Sequence, residues 1–409
     1  MDRDILLKRN AEQVCAQVVE SLKTKRVLQF KLNMSELNAK TNEALSILEE
    51  TRRRVDDVII SNRGGITGKH GFIGEIIHVG FSNERDICDG KPPIHRLVDD
   101  NGMTDYYRGN TPIQQKACIS DKALGLTHIA KHATKYPEFV EVKKGIYQIP
   151  RDFYLKYKLY SKMACEEAGK LSKAELRLWL RVHSFNSEHP NVVVEPMITT
   201  YKEIQVGKVS ETFSNEKNRI IEHHKQTKHE IVSASKASIN EGLKCTIGGA
   251  AFEGAIGGAI SLYKHTRPLG KNVVDLKSSE WRDIGVDTIK ASGKGAIRCA
   301  SIYALTNKVG MPAHWACATT TAAMGTVSSV YKYNRGDITV TECIHEIVGN
   351  TCDAAVVALG SKLGSKLIPV PFIGNIVGGT MSLLLWDVTK NMASHLYDEY
   401  RTLDVDWSA

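Results

Sequence analysis

No CxxC pair occurs in this chain, although it holds nine cysteines, an odd number scattered from Cys15 to Cys352. Without paired spacing neither a disulfide framework nor a zinc ribbon is expected, and reduced thiols point to a cytosolic protein. The N-terminal run MDRDILLKRNAEQ lacks the apolar stretch of a signal peptide, so synthesis as an intracellular protein is the expectation. A nucleotide-binding P-loop is missing as well. It needs a glycine five residues before Gly68-Lys69 and Ser or Thr after the lysine, and those positions hold Arg63 and His70. No strong excess of one charge exists either: 54 Lys and Arg against 46 Asp and Glu leave +8, a mild basic bias that a polyanionic partner would tolerate.

What is present is an ordinary folding chain of 409 residues, 42% hydrophobic and 24% charged, long enough for two or three domains. Residues 33–60 carry Leu37, Ala44, Leu45, Leu48, Val55 and Ile59 at helical spacing among many charges. The pattern predicts an N-terminal helical arm or short coiled coil over residues 1–62, ended by the glycines of SNRGGITGKHG, a flexible connector. Residues 63–155 read as α, β, β, β, α, β, a compact α/β domain. In it, GFIGEIIHVGF is a helix, Val98 to Ser120 a hairpin, SDKALGLTHIAKHATKY a helix stopped by Pro137, and GIYQIPRDFY a departing strand.

Residues 156–241 are polar and mostly helical, a connector with one long helix around NEKNRIIEHHKQTKHEIVSASKAS. Its His223, His224 and His229 lack the carboxylate or cysteine set that would complete a metal site, so a solvated helix face is expected. From residue 242 to 409 the composition turns small and apolar. Stretches 246–263, 309–331 and 367–386 approach the length of a membrane span, and the last has no charge. Gly254 and Gly258, Gly360 and Gly364, and Gly374 and Gly378 form GxxxG pairs that let helix backbones approach, in a membrane or in a soluble bundle. The runs starting at Gly258, Gly325 and Gly379 align with one another, as do Asp283-Ile284-Gly285-Val286 and Asp337-Ile338-Thr339-Val340. Repeated helical hairpins are therefore expected.

The chemistry concentrates in the hairpin. Gly109-Asn110 has the composition of a type II′ loop. Counting outward pairs Arg108 with Thr111, Tyr107 with Pro112, Tyr106 with Ile113 and Asp105 with Gln114. Period two then places Lys116 on the face of Asp105 and Gln114, with Tyr106, Ile113 and Gln115 on the other. Pro112 weakens this register unless it sits near the strand start or on an edge. An acid and an amide oxygen held together suit a divalent cation such as Mg²⁺ or Mn²⁺, and an adjacent amine can orient water or offset transition-state charge. In another register Asp99 or Asp100 would supply the acid. The plain alternative is a polar-faced hairpin whose lysine forms a salt bridge with Asp105.

The run GMTDYYRGNTPIQQK resembles the acid and hydrophobic-Q-x-K core of Mrr-type restriction endonucleases, a branch of the PD-(D/E)xK nuclease superfamily in which Gln replaces the second acid. Gly71-Phe72-Ile73-Gly74-Glu75 is similar to the G-x-x-x-E of the family's first helix. The resemblance covers residues 64–155. It implies a restriction-endonuclease-like α/β core in which Asp105 is the principal metal ligand, Gln114 the weaker one, Glu75 a further carboxylate and Lys116 the catalytic lysine. It also implies a basic helix after the hairpin that meets phosphates, here with Lys122, Lys131 and Lys135, and DNA ahead of RNA as substrate. His128 and His132 lack the glutamate of an HExxH zinc site. No proline precedes Asp105 and Gln114 carries no charge, so metal affinity should fall below that of a site with two or three carboxylates.

The expected whole is multidomain, α/β plus all-α: a helical arm, a nuclease-like core and glycine-rich C-terminal hairpins. Metal-dependent phosphodiester hydrolysis, in a cytoplasmic and bacterial or phage-linked defence or toxin effector, is the leading expectation. Two rivals stand beside it. One is a membrane-inserting or membrane-assembling protein that uses the α/β domain as sensor or adaptor; the other is a nuclease fold retained only for binding, and a homo-oligomer is compatible with each reading.

Overall fold

A computed structural model describes residues 3–98, 100, 102–118, 123–267, 270–368 and 373–402. The chain is mostly helical with one five-stranded mixed sheet. It divides into two compact units, Lys31–Ala234 and a second made of Met1–Phe30 with Ser235–Ala409. The first helix, α1 (Arg3–Ile60), contributes residues to both.

In the Lys31–Ala234 unit, α1 is followed by α2 (Gly65–Cys88), β1 (His95–Leu97), β2 (Tyr106–Arg108), β3 (Thr111–Gln115), α3 (Leu126–Lys135), α4 (Pro137–Glu141) and β4 (Ile146–Ile149). Then come α5 (Arg151–Lys162), α6 (Cys165–Ala168), α7 (Lys173–Glu188), β5 (Val193–Pro196) and α8 (Val209–Ala234). The strands lie in the order β1-β2-β3-β4-β5, antiparallel as far as β3 and parallel from β3 to β5. Parallel neighbours need crossovers, and α3 with α4, then α5 to α7, supply them.

Three expectations about this unit change. Residues 33–60 are not a free arm, because Ala44, Leu48, Val55 and Val58 are buried in the same core as Ile73, Ile77 and Phe81 of α2. The glycine-rich run is not a loop beyond Gly64: Asn62, Gly64 and Gly65 take positive φ (52°, 80° and 64°) and turn the chain, and α2 starts at Gly65. The stretch read as a helical connector holds β5, where β-branched Val193 and Val194 favour the extended chain. Phe153 of α5, Val182 and Phe185 of α7 and Phe213 of α8 close the same core.

The second unit is helical: α9 (Ile239–Thr266), α10 (Ser278–Ala304), a π-helical turn at Leu305–Val309, α11 (Ala313–Asn334), α12 (Val340–Leu367) and α13 (Ile373–Thr402). Helix α9 packs on α10, α11 on α12 and α12 on α13. Glycine makes these crossings close. A Cβ on Gly364 would stand 2.0 Å from the carbonyl oxygen of Gly374, and one on Gly254 would meet the Ser292 hydroxyl at 2.1 Å. The first aligned run falls within α9, α11 and α13. The second is not structurally equivalent, since Asp283–Val286 lies inside α10 whereas Thr339 caps the start of α12. Among the described residues one helical stretch, Val209–Thr266, is long and apolar enough to cross a membrane, and it contains 246–263. The stretch 309–331 does not meet that measure, because threonine and serine dilute its apolar residues, nor does the described part of 367–386, which is too short.

Candidate active site: an acid, an amide and a lysine on one sheet face

Gly109 adopts φ +60° and closes the hairpin, and the register is Tyr106 to Ile113, Tyr107 to Pro112 and Arg108 to Thr111. Pro112 is the second residue of β3, and parallel pairing with β4 begins only after it, at Ile113, so its missing N–H costs the sheet little. Asp105 lies one step beyond β2 and outside the regular ladder with β3, since Ile113, the partner of Tyr106, accepts its N–H; the counted pair with Gln114 is met by side chains instead. The Asp105 N–H donates to the Ile113 carbonyl and the Asp105 carbonyl accepts from the Val98 N–H, both at 2.9 Å. Main-chain bonds on both sides therefore fix where its side chain starts.

The Asp105 carboxylate accepts two hydrogen bonds at Oδ2: from the Gln115 N–H at 2.6 Å and from Gln114 Nε2 at 2.5 Å. Gln114 is buried, and with its Nε2 committed to Asp105 its Oε1 has no hydrogen-bond partner. A buried amide oxygen left unpaired beside a carboxylate costs roughly 1–3 kcal/mol unless something positive satisfies it. Lys116 donates its N–H to the Gln148 carbonyl at 2.8 Å, carrying the β3–β4 pairing onward. The Gln115 side chain turns the other way, with its Nε2 3.4 Å from Gln148 Oε1, which also accepts from the Tyr106 hydroxyl.

Glu75 reaches the same place from α2. Together with Asp105, Gln114 and Lys116 it lines a cavity of about 1130 Å³. Burial, and then the Asp105 charge, push the Glu75 carboxyl up to about 8, with Lys116 and Arg63 pulling the other way. Burial also raises Asp105, against the opposing pull of Lys116 and of its hydrogen bonds from Gln115 and Gln114. Two acids that resist ionising in each other's presence form a site that favours added positive charge.

Other expected residues are placed differently. Lys131 and Lys135 lie exposed on α3 outside the cavity lining, and Lys122 lies outside the described residues. Among the described residues the basic groups that do line the cavity are Arg54, Arg63, Lys116 and His128. Arg54 lies near the C-terminal end of α1, in the stretch that the sequence presents as an arm, and Arg63 sits in the apparent connector, so no local signal marked either. The Arg63 guanidinium stacks 4.4 Å above the Phe72 ring. Asp100 lines the cavity and accepts the Gly102 N–H at 2.7 Å, while Asp99 lies outside the described residues. His128 faces the Cys118 sulfur at 3.3 Å, and His132 is held by the Tyr147 hydroxyl at 2.8 Å and packed on Phe139. Burial lowers His132 to about 4, which marks a neutral structural histidine.

Among the described residues no group of three or more His, Cys, Asp or Glu gathers to hold a metal. Any cation here would rely on two carboxylates, Asp105 and Glu75, and on the unpaired amide oxygen of Gln114. All three are hard oxygen donors suited to Mg²⁺ or Mn²⁺, so the residues present fit such an ion. Comparison of the chain with protein-family models, curated proteins and solved structures returned no match.

Proposed function

We propose that the Lys31–Ala234 unit is a metal-dependent phosphodiesterase acting on nucleic acid, with DNA the favoured substrate. The observation that carries this reading is the unpaired Gln114 Oε1 beside the Asp105 carboxylate, in a cavity that also holds Glu75 and Lys116. The succession α2, β1, β2, β3, α3, β4 and the similarity of its acid and Q-x-K spacing to Mrr-type nucleases support it further.

A cation held by Asp105, Glu75 and Gln114 would act as a Lewis acid on the scissile phosphate. Lys116 orients the attacking water and offsets charge in the transition state. The water oxygen bonds to phosphorus and gives up a proton to solvent as the ester P–O bond opposite it breaks, and the departing oxygen takes up a proton from solvent. Arg54 and Arg63 hold neighbouring phosphates through charge, which favours binding of any sequence.

The test is cleavage of plasmid DNA and of RNA by the full chain with Mg²⁺ or Mn²⁺. Asp105→Ala and Lys116→Ala should each lower the rate by about 10²–10⁴-fold. Metal-dependent cleavage that persists in both variants refutes the site. Binding without cleavage by the unaltered chain makes the fold a binding module.

A further inference from the structure

We infer that the helical unit rests on anionic membranes, with the outer face of α9 in the acyl chains and α10 toward the headgroups. This inference is independent of the nuclease reading. The starting observation is an inverted distribution of side chains. The largest fully buried side chains, such as Tyr106, Tyr147, Phe81 and Phe139, all belong to Lys31–Ala234. The helical unit buries mainly small and polar groups, at Gly249, Gly254, Ser261 and Cys299, with single isoleucines such as Ile284 and Ile302 among them, and exposes many bulky apolar ones.

Several of its buried polar groups are paired internally, although the hydroxyls of Thr306 and Thr320 have no partner. Arg298 meets Glu12 at 3.0 Å and also bonds Glu253, Ser361 donates to Gln13 at 2.7 Å, and Ser261 donates to Asp287 at 2.8 Å. Close glycine contacts and satisfied internal polar pairs hold helices together where the surroundings are hydrocarbon. In water, by contrast, bulky apolar side chains turn inward.

Helix α9 shows what covers the outside. Between Thr246 and Tyr263 its one charged residue is Glu253, turned inward onto Arg298. The exposed side carries Ile247, Ala251, Phe252, Ala255, Ala259 and Tyr263, mostly four residues apart. At 1.5 Å per residue this uncharged face is about 27 Å long. Of the apolar window that qualifies this stretch as a membrane candidate, 33% is buried, whereas the core helix of a soluble protein is mostly buried. Exposed Lys244 and Lys264 flank the face, and α10 exposes Lys290 and Lys294. An apolar face flanked by lysines, on a helix whose other side packs against α10, suits an interfacial helix on anionic lipid.

The experiment floats the full chain with vesicles of phosphatidylcholine containing phosphatidylglycerol, and with phosphatidylcholine alone. The chain should float with the anionic vesicles, and the double variant Ile247→Glu, Phe252→Glu should lower the bound fraction about tenfold or more. Phe252→Trp, which keeps the face apolar, should gain fluorescence that brominated acyl chains quench. No flotation, no quenching at residue 252, or flotation untouched by the double variant overturns the inference. Dimerisation without vesicles that the double variant abolishes, together with no flotation, would assign the face to a second copy of this chain and overturn it equally.

Discussion

Glu75 illustrates how one residue couples stability to function. Its carboxyl is raised from an ordinary value of 4.5 to about 8, so between those values the folded chain keeps a proton that the unfolded chain has released. Stability contributed by that proton is full below the unfolded value and is lost as pH rises through the folded one. With chelator present, the melting temperature should therefore fall as pH goes from 5 to 8.5. Glu75→Gln should flatten that slope in a fluorescence melt. Mg²⁺ favours the ionised form, so its stabilisation should grow with pH across the same window, and a metal effect independent of pH would remove Glu75 from the site. At this scale the sequence was informative about Asp105, Gln114 and Lys116, because loop chemistry and period two count out their positions. It was silent about Arg54 and Arg63, whose place in the cavity depends on how α1 and α2 meet.

At the scale of elements, close approach and hydrogen-bonded pairing do different work. The α12–α13 crossing has no room at Gly364, where an added Cβ would lie 2.0 Å from the Gly374 carbonyl oxygen. Gly364→Val should separate the two helices and destabilise the unit by about 1–3 kcal/mol or more, read as a lower melting temperature. Gly109→Val meets no atoms and should instead act through its positive φ, at about 1 kcal/mol. In the α/β unit, Glu84 is fully buried and takes two bonds from Arg219, which ties α8 to α2. The order of helices and strands up to β4 was readable from periodicity and turn residues. The strand β5 was not, because a short run within polar sequence becomes a strand only when β4 offers it a parallel partner.

The whole molecule joins two units built on opposite rules. Lys31–Ala234 has a large aromatic and aliphatic core, and the rest packs through small residues and internal polar pairs. A fragment of residues 31–234 should accordingly unfold in a single cooperative transition in urea and keep metal-dependent cleavage within about tenfold of the full chain. A fragment without a cooperative transition would show that the core is not self-sufficient.

The sequence alone determined the hairpin register, the helical spacing of the long elements and the glycine pairs, since each follows from local backbone geometry within a few residues. Only the tertiary structure decided that the expected arm belongs to the core, that β5 completes the sheet, that Arg54 and Arg63 face Glu75 and Asp105, and that Gln114 keeps an unpaired oxygen. Those outcomes depend on contacts between residues far apart in the chain, and no local pattern encodes the energy of a contact whose partner it does not contain.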